Sequence, residues 1–118
     1  MKKIYYLSTC DTCRNIIKRL GGLDDFEKQD IKTEPITSVQ LKEMKEMAGS
    51  YESLFSRRAI KYKEMKLKDQ ALTENEYKRL IMEEYTFLKR PVMIIGKMIF
   101  VGNEEKTIQA AEKEIHKK

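Results

Sequence analysis

The sequence predicts an α/β protein built on one four-stranded sheet, with a helical insertion in the middle of the chain. Short runs of β-branched and aromatic residues alternate with segments whose apolar residues recur at helical spacing, in the order β-α-β-α, insertion, β-β-α. Near the end of the chain, two apolar runs flank Gly96-Lys97, the spacing of a hairpin closed by a two-residue turn. A length of 118 residues suits a single domain, residues 1–118, with the insertion at about 37–88.

Each element has its own signal. Lys3 to Leu7 reads as the first strand, and Cys10 leads into a helix with Ile16, Ile17 and Leu20 on one face, stopped by Gly21-Gly22. Phe26 to Ile31 is the second strand, closed by Thr33-Glu34-Pro35 because the residue before proline avoids helical geometry. Thr37 or Ser38 caps the next helix, which turns Val39, Leu41, Met44 and Met47 toward the core and ends at Gly49. Ser50 to Leu67 is expected to form short helical turns anchored by Tyr51, Phe55 and Tyr62. Thr73 with Glu76 makes a capping box and opens a helix carrying Tyr77, Leu80, Ile81 and Tyr85. Val92–Ile95 and Met98–Val101 are predicted as two buried strands, with Met93 and Met98 as core filling. A last helix, from Asn103 to Lys118, turns Ile108, Ala111 and Ile115 inward.

The charge count, 24 Lys+Arg against 19 Asp+Glu, leaves +5, but both signs are interleaved along the chain. No basic stripe marks a nucleic-acid backbone site, so direct nucleic-acid binding is not expected. Lys2 and Lys3 precede only Ile4-Tyr5-Tyr6-Leu7, too short for the apolar region of a signal peptide, and Val92 to Val101 is about half a membrane span. The expectation is a cytoplasmic monomer, a compartment in which a structural disulfide is a poor default.

The chemistry concentrates at Cys10-Asp11-Thr12-Cys13, where the first strand hands over to the first helix. Residues three apart in a helical turn face the same side at ~5–6 Å, within the range that a disulfide tolerates. Cys10, just ahead of the helix, has its sulfur near unpaired N–H groups and the positive dipole end, so it is the expected nucleophile. Cys13, one turn in, is placed to resolve a mixed disulfide on Cys10. Zinc takes four ligands, whereas the chain offers these two thiols and His116 among terminal lysines, so no metal site is expected. Burial of both cysteines as inert side chains is not expected with Asp11, Thr12 and Arg14 around them. Asp11 reads as a helix-start charge in preference to a proton shuttle.

The motif Leu7-Ser8-Thr9-Cys10-Asp11-Thr12-Cys13-Arg14-Asn15, Arg57-Arg58 before Tyr62-Lys63-Glu64-Met65, and Leu88-Lys89-Arg90-Pro91 before the hairpin resemble the ArsC/Spx family: glutaredoxin-linked arsenate reductases, Spx regulators and YffB-like proteins. The resemblance implies a thioredoxin-like fold, a mixed four-stranded sheet with an inserted helical subdomain, and a cis peptide at Arg90-Pro91 facing the cysteine loop. It implies catalysis by Cys10 and Cys13, anion binding by Thr12, Arg14, Arg58 and Arg90, a structural role for Pro91, no bound cofactor, and glutathione or glutaredoxin as reductant. Arg58 matches an arginine of the Spx branch, while Ser56 stands where the reductases carry theirs. Where the reductases have a further arginine after the hairpin, this chain has Val101-Gly102-Asn103. Each charged hydrogen bond missing from an oxyanion site is worth ~1.5–3 kcal/mol.

Two readings follow. In the first, the chain is an arsenate reductase-like thiol oxidoreductase that reduces arsenate or a mixed disulfide. In the second, a Cys10–Cys13 disulfide is the sensor of an Spx-like regulator that contacts RNA polymerase.

Overall fold

The computed structural model describes residues 1–117 and divides the chain into two compact units, Met1–Pro35 with the chain from Arg90 on, and Ile36–Lys89. The first unit holds the sheet. Its strands are β1 (Lys2–Tyr6), β2 (Glu27–Asp30), β3 (Val92–Ile95) and β4 (Met98–Val101), in the order β2-β1-β3-β4. β1 runs parallel to β2, with Tyr6 opposite Asp30, and antiparallel to β3, which pairs in turn with β4. The sheet is therefore mixed and four-stranded, as the sequence predicts.

Two helices of this unit, α1 (Asp11–Arg19) and α5 (Glu105–Ile115), share one core with the sheet. Ile4, Met93 and Phe100 are in register across β1, β3 and β4, and they pack with Ile16 and Leu20 at α1 and with Ile108 and Ala111 of α5. The interior strand β3 is buried along its whole length. β4 is not. It lies at the sheet edge, so only Phe100 is buried and Met98 is 46% exposed, against the expectation of two buried strands. α1 ends as predicted, with the Gly22 N–H on the Ile17 carbonyl at 2.8 Å. The predicted last residue of the final helix, Lys118, lies outside the described residues.

The second unit contains α2 (Ser38–Ala48), α3 (Ile60–Glu64), α4 (Glu74–Glu83) and three single 3-10 turns at Glu52–Leu54, Leu67–Asp69 and Tyr85–Phe87. Both α2 and α4 start with a complete capping box, Thr37 with Gln40 and Thr73 with Glu76. Leu41 and Met44 of α2 are buried, whereas Val39 is 76% exposed and Met47 half-buried. A helix with one buried stripe turns only positions three and four apart inward, and Val39 lies off that stripe. Tyr85 falls in the 3-10 turn instead of continuing α4.

Phe55 is the hub of this unit. Its ring, fully buried, lies 4.9 Å from both Phe87 and Tyr77 and 6.1 Å from Tyr62. Backbone contacts clamp the two strands of chain that meet there: Phe55 bridges Leu88, Ser56 N–H donates to Phe87 at 2.6 Å, and Lys89 N–H donates to Leu54 at 2.8 Å. The Glu74 carboxylate accepts the N–H groups of Tyr51 and Glu52 at 2.7 and 3.0 Å, which ties the start of α4 to the neighbouring turn. Among the described residues, no helix is long and apolar enough to cross a membrane.

Replacing Phe55 by alanine is expected to cost about 3–5 kcal/mol of unfolding free energy, because three aromatic neighbours lose their contact. Thr73→Ala, which removes one cap, should cost about 1 kcal/mol. Urea unfolding with an unchanged denaturant slope measures both.

Candidate active site

The first strand delivers the chain directly to the start of α1. After Tyr6, buried Leu7 begins a tight turn in which the Cys10 N–H donates to the Leu7 carbonyl at 3.0 Å. Cys10 is extended (φ −95°, ψ 115°) and is the residue that precedes the helix, its carbonyl accepting the Arg14 N–H at 3.1 Å. That position commonly carries a side-chain oxygen that accepts an N–H from the first turn. Here no cap hydrogen bond of that kind exists, and the Cys10 sulfur stands in its place beside the N–H groups of Thr12 and Cys13. Both cysteines are free thiols, Cys10 half-buried and Cys13 fully buried.

The two sulfurs are displaced in opposite directions. Burial opposes ionisation of Cys10, but hydrogen bonds from the Cys13 backbone, the Cys13 thiol and the Thr12 backbone outweigh it, with the Arg90 charge adding to them, and the Cys10 pKa falls below the ordinary 9.0. Cys13 goes the other way, up to about 11. Its burial is the main cause; the negative charge of Cys10 and the hydrogen bond that Cys13 gives it add to the rise, against partial relief from the Leu7 backbone and Arg90. The pair thus has one sulfur shifted toward thiolate and one held as thiol.

The expected site residues divide by position. Cys10, Thr12, Cys13 and Arg90 come together, with Arg90 acting on both sulfurs. Arg90–Pro91 is a cis peptide, and the Pro91 carbonyl accepts the Gly102 N–H at 2.9 Å, so the residue ahead of β3 is pinned to the end of β4. Gly102 is buried with φ +91°, a left-handed conformation that disfavours any side chain, which is a backbone reason for glycine at this position. Arg14 is engaged elsewhere, paired with Asp11 and donating to the Ser8 carbonyl at 2.8 Å. Asp11 is accordingly a first-turn charge bound to Arg14, not the cap. Arg58 is exposed on the other unit, its N–H on the Ser56 hydroxyl at 3.3 Å, while neighbouring Arg57 binds Glu52 and the Tyr77 hydroxyl. Contrary to expectation, burial does reach one member of the pair. Cys13 is the first buried residue of α1 and points into the protein, because its helix face continues to Ile16 and Leu20.

Sequence reading missed Ser8 and Asp30. The Asp30 carboxylate accepts the Ser8 N–H at 3.3 Å and the Ser8 hydroxyl at 2.5 Å, across a gap of 22 residues. The signal was available only through the parallel pairing of β1 and β2, which sets the end of one strand beside the end of the other. Among the described residues, no cluster of three or more His, Cys, Asp or Glu could hold a metal. A separate open cavity of about 430 Å³ in the helical unit is lined by Lys61, Glu64, Met65, Leu80, Glu83, Glu84 and Phe87, none of them a nucleophile of the cysteine type.

Comparison with known proteins places the chain in a family and a fold. The ArsC family profile matches residues 5–111. The chain is 27% identical over 108 residues to the global transcriptional regulator Spx of Lactiplantibacillus plantarum, covering 90% of this chain and 82% of that one. In three dimensions it is similar to an ArsC family related protein from Bacteroides fragilis (TM-score 0.79, 23% identity, 96% of each chain). It is similar as well to an arsenate reductase from Vibrio cholerae (TM-score 0.75, 17% identity, 94% of this chain and 95% of that one). At such identities the two structural likenesses establish the thioredoxin-like fold, and the profile, which spans most of the sequence, establishes that the chain belongs to the ArsC family.

Proposed function

We propose that this ArsC-family chain is a thiol–disulfide oxidoreductase in which Cys10 attacks and Cys13 resolves. The observation that carries the proposal is the opposite displacement of the two thiols at one helix N-terminus. A lowered pKa favours the thiolate of Cys10, the reactive form, while a value near 11 keeps Cys13 protonated until it is needed.

The Cys10 thiolate attacks one sulfur of a glutathionylated substrate; a Cys10–glutathione disulfide forms and the substrate leaves as thiolate. This step removes the negative charge on Cys10 that helps to hold the Cys13 proton. Cys13 then loses that proton and attacks the Cys10 sulfur, closing the Cys10–Cys13 disulfide and releasing glutathione thiolate. Two further glutathione molecules, or reduced glutaredoxin, return the pair to dithiol and are oxidised to a disulfide. With arsenate, Cys10 would form the thiol adduct with loss of water, and Cys13 attack would release arsenite as arsenic passes from the +5 to the +3 state. Arg90 and the first-turn N–H groups supply the anion contacts for that arm. Arg14 is committed to Asp11 and Gly102 carries no side chain, so the mixed disulfide is the substrate that the site favours. The reading calls for no bound cofactor, glutathione as co-substrate, and a reducing compartment such as the cytoplasm, with the chain acting as a monomer.

The Spx match favours a second reading, in which the same disulfide is a switch and the partner is RNA polymerase. Recovery of polymerase subunits that differs between oxidised and reduced chain supports it; equal recovery counts against it.

The test of the first reading is an NADPH-coupled assay with glutathione, glutathione reductase and glutaredoxin, run with a glutathionylated peptide and then with arsenate. Turnover of the peptide that Cys10→Ser abolishes and Cys13→Ser slows is the expected result; no turnover of either substrate sinks the proposal. The pH dependence is equally specific. A thiol with a lowered pKa reaches full thiolate at lower pH, so Cys10 alkylation should level off with an inflection below 9.0, while buried Cys13 should react only at higher pH than Cys10. Arg90→Leu removes a charge that lowers both values, and should move the Cys10 inflection upward.

A further inference from the structure

The turn between β1 and α1 carries the nucleophile but belongs to neither element, so its position must be set by contacts of its own. Ser8 is held twice by one carboxylate: its N–H donates to Asp30 Oδ1 at 3.3 Å and its hydroxyl to Asp30 Oδ2 at 2.5 Å. Asp30 is itself oriented by the Lys32 N–H, which donates to Oδ1 at 3.2 Å. It closes β2 opposite Tyr6, and the pairing continues one step further through the Ile31 N–H on the Tyr6 carbonyl at 2.9 Å. On the other side, the Ser8 carbonyl accepts Arg14 Nη1 at 2.8 Å, and Arg14 pairs with Asp11. A continuous polar chain thus runs from the end of β2 through the turn to the first turn of α1.

We infer that Asp30 is a positioning residue for the Cys10 nucleophile, holding Ser8 by both N–H and hydroxyl so that the turn presents the Cys10 sulfur to the N–H groups of Thr12 and Cys13. The inference rests on the assignment of Cys10 as nucleophile made above. Asp30 touches no reacting atom. Its negative charge, taken alone, disfavours a thiolate nearby, so a purely electrostatic role and a positioning role have opposite signs. Removing the carboxylate lowers the Cys10 inflection if only charge matters. It raises the inflection if the carboxylate fixes the geometry on which the N–H contacts depend. Among the described residues, the other charged or titratable groups around this turn are Cys13 and Arg90, which act on Cys10 directly, Asp11 and Arg14 on α1, and Lys32, whose charge acts on Asp30.

The experiment is the pH profile of Cys10 alkylation by iodoacetamide, read by peptide mass mapping on the full chain, for Asp30→Ala, Ser8→Ala and the double variant. Asp30→Ala is expected to move the inflection up toward 9.0 and slow alkylation at pH 7 in proportion to the thiolate lost. The double variant should be no slower than Asp30→Ala, because Asp30→Ala already removes both bonds to Ser8, including the one that Ser8→Ala cuts. An inflection that stays or falls in Asp30→Ala, or losses that add in the double variant, overturns the inference. Ser8→Ala leaves the carboxylate in place and carries the same test if Asp30→Ala fails to fold: its inflection must rise. The readout needs no turnover, so an inactive chain with this response refutes the oxidoreductase reading alone, and an active chain without it refutes the role of Asp30 alone.

Discussion

A helix that begins immediately after a strand leaves its first N–H groups pointing at whatever the intervening turn delivers, and here the turn delivers a sulfur. No hydroxyl or carboxylate caps α1; Cys10 occupies the position, and the N–H groups of Thr12 and Cys13 reach its side chain. An uncapped helix start costs about 1 kcal/mol relative to one with a good cap oxygen. A thiolate offsets that deficit, since an anion at this end of a helix satisfies the same donors. Stability of the helix start and reactivity of the thiol are therefore coupled through the same N–H groups.

The asymmetry of the two cysteines follows from helix geometry and burial. Cys10 lies outside the helix and keeps contact with solvent, whereas Cys13 falls on the stripe that continues through Ile16 and Leu20 into the core shared with β1 and β3. One sequence spacing thus produces two environments. The exposed sulfur gains more from its donors than burial takes away, and the buried one does not. Because part of the Cys13 rise comes from the charge on Cys10, any adduct that neutralises Cys10 also eases release of the Cys13 proton. In the proposed cycle, the order of the two steps follows from electrostatics within the pair, with no moving part required.

Much of this was legible in the sequence, and the misses have local causes. The Gly21-Gly22 stop, the cap at Thr37 and the Thr73–Glu76 capping box are encoded in residues within four positions of one another, and they appear where expected, with Gln40 completing a second box that the sequence reading did not include. Val39 and Met98 were misassigned because apolar character alone does not say which face of a helix or which strand of a sheet is covered: Val39 lies off the buried stripe of α2, and β4 is an edge. Arg14 illustrates a different limit. Its position beside the cysteines was clear, but its commitment to Asp11 and the Ser8 carbonyl depends on rotamers that spacing does not report. Ser8 and Asp30 were invisible for a third reason, a contact made only once two strands 22 residues apart pair in parallel.

The same register explains why the turn that carries Cys10 is flanked by groups from both chain segments of the first unit. β1 is central in the sheet, between β2 and β3, so the turn leaving it is flanked by the end of β2 on one side and the entry to β3 on the other. The first neighbour supplies Asp30, which acts on the backbone of the turn; the second supplies Arg90, whose charge acts on both sulfurs. A negative group that holds the loop and a positive group that favours the thiolate would conflict if exchanged, since a carboxylate at the Arg90 position would repel the anion it faces. The Gly102 N–H on the Pro91 carbonyl ties the positive side to the β3–β4 hairpin, whose hydrogen bonds are independent of α1. The turn that carries Cys10 is therefore braced from the sheet as well as from its own helix, and the sheet order decides which charge stands on which side.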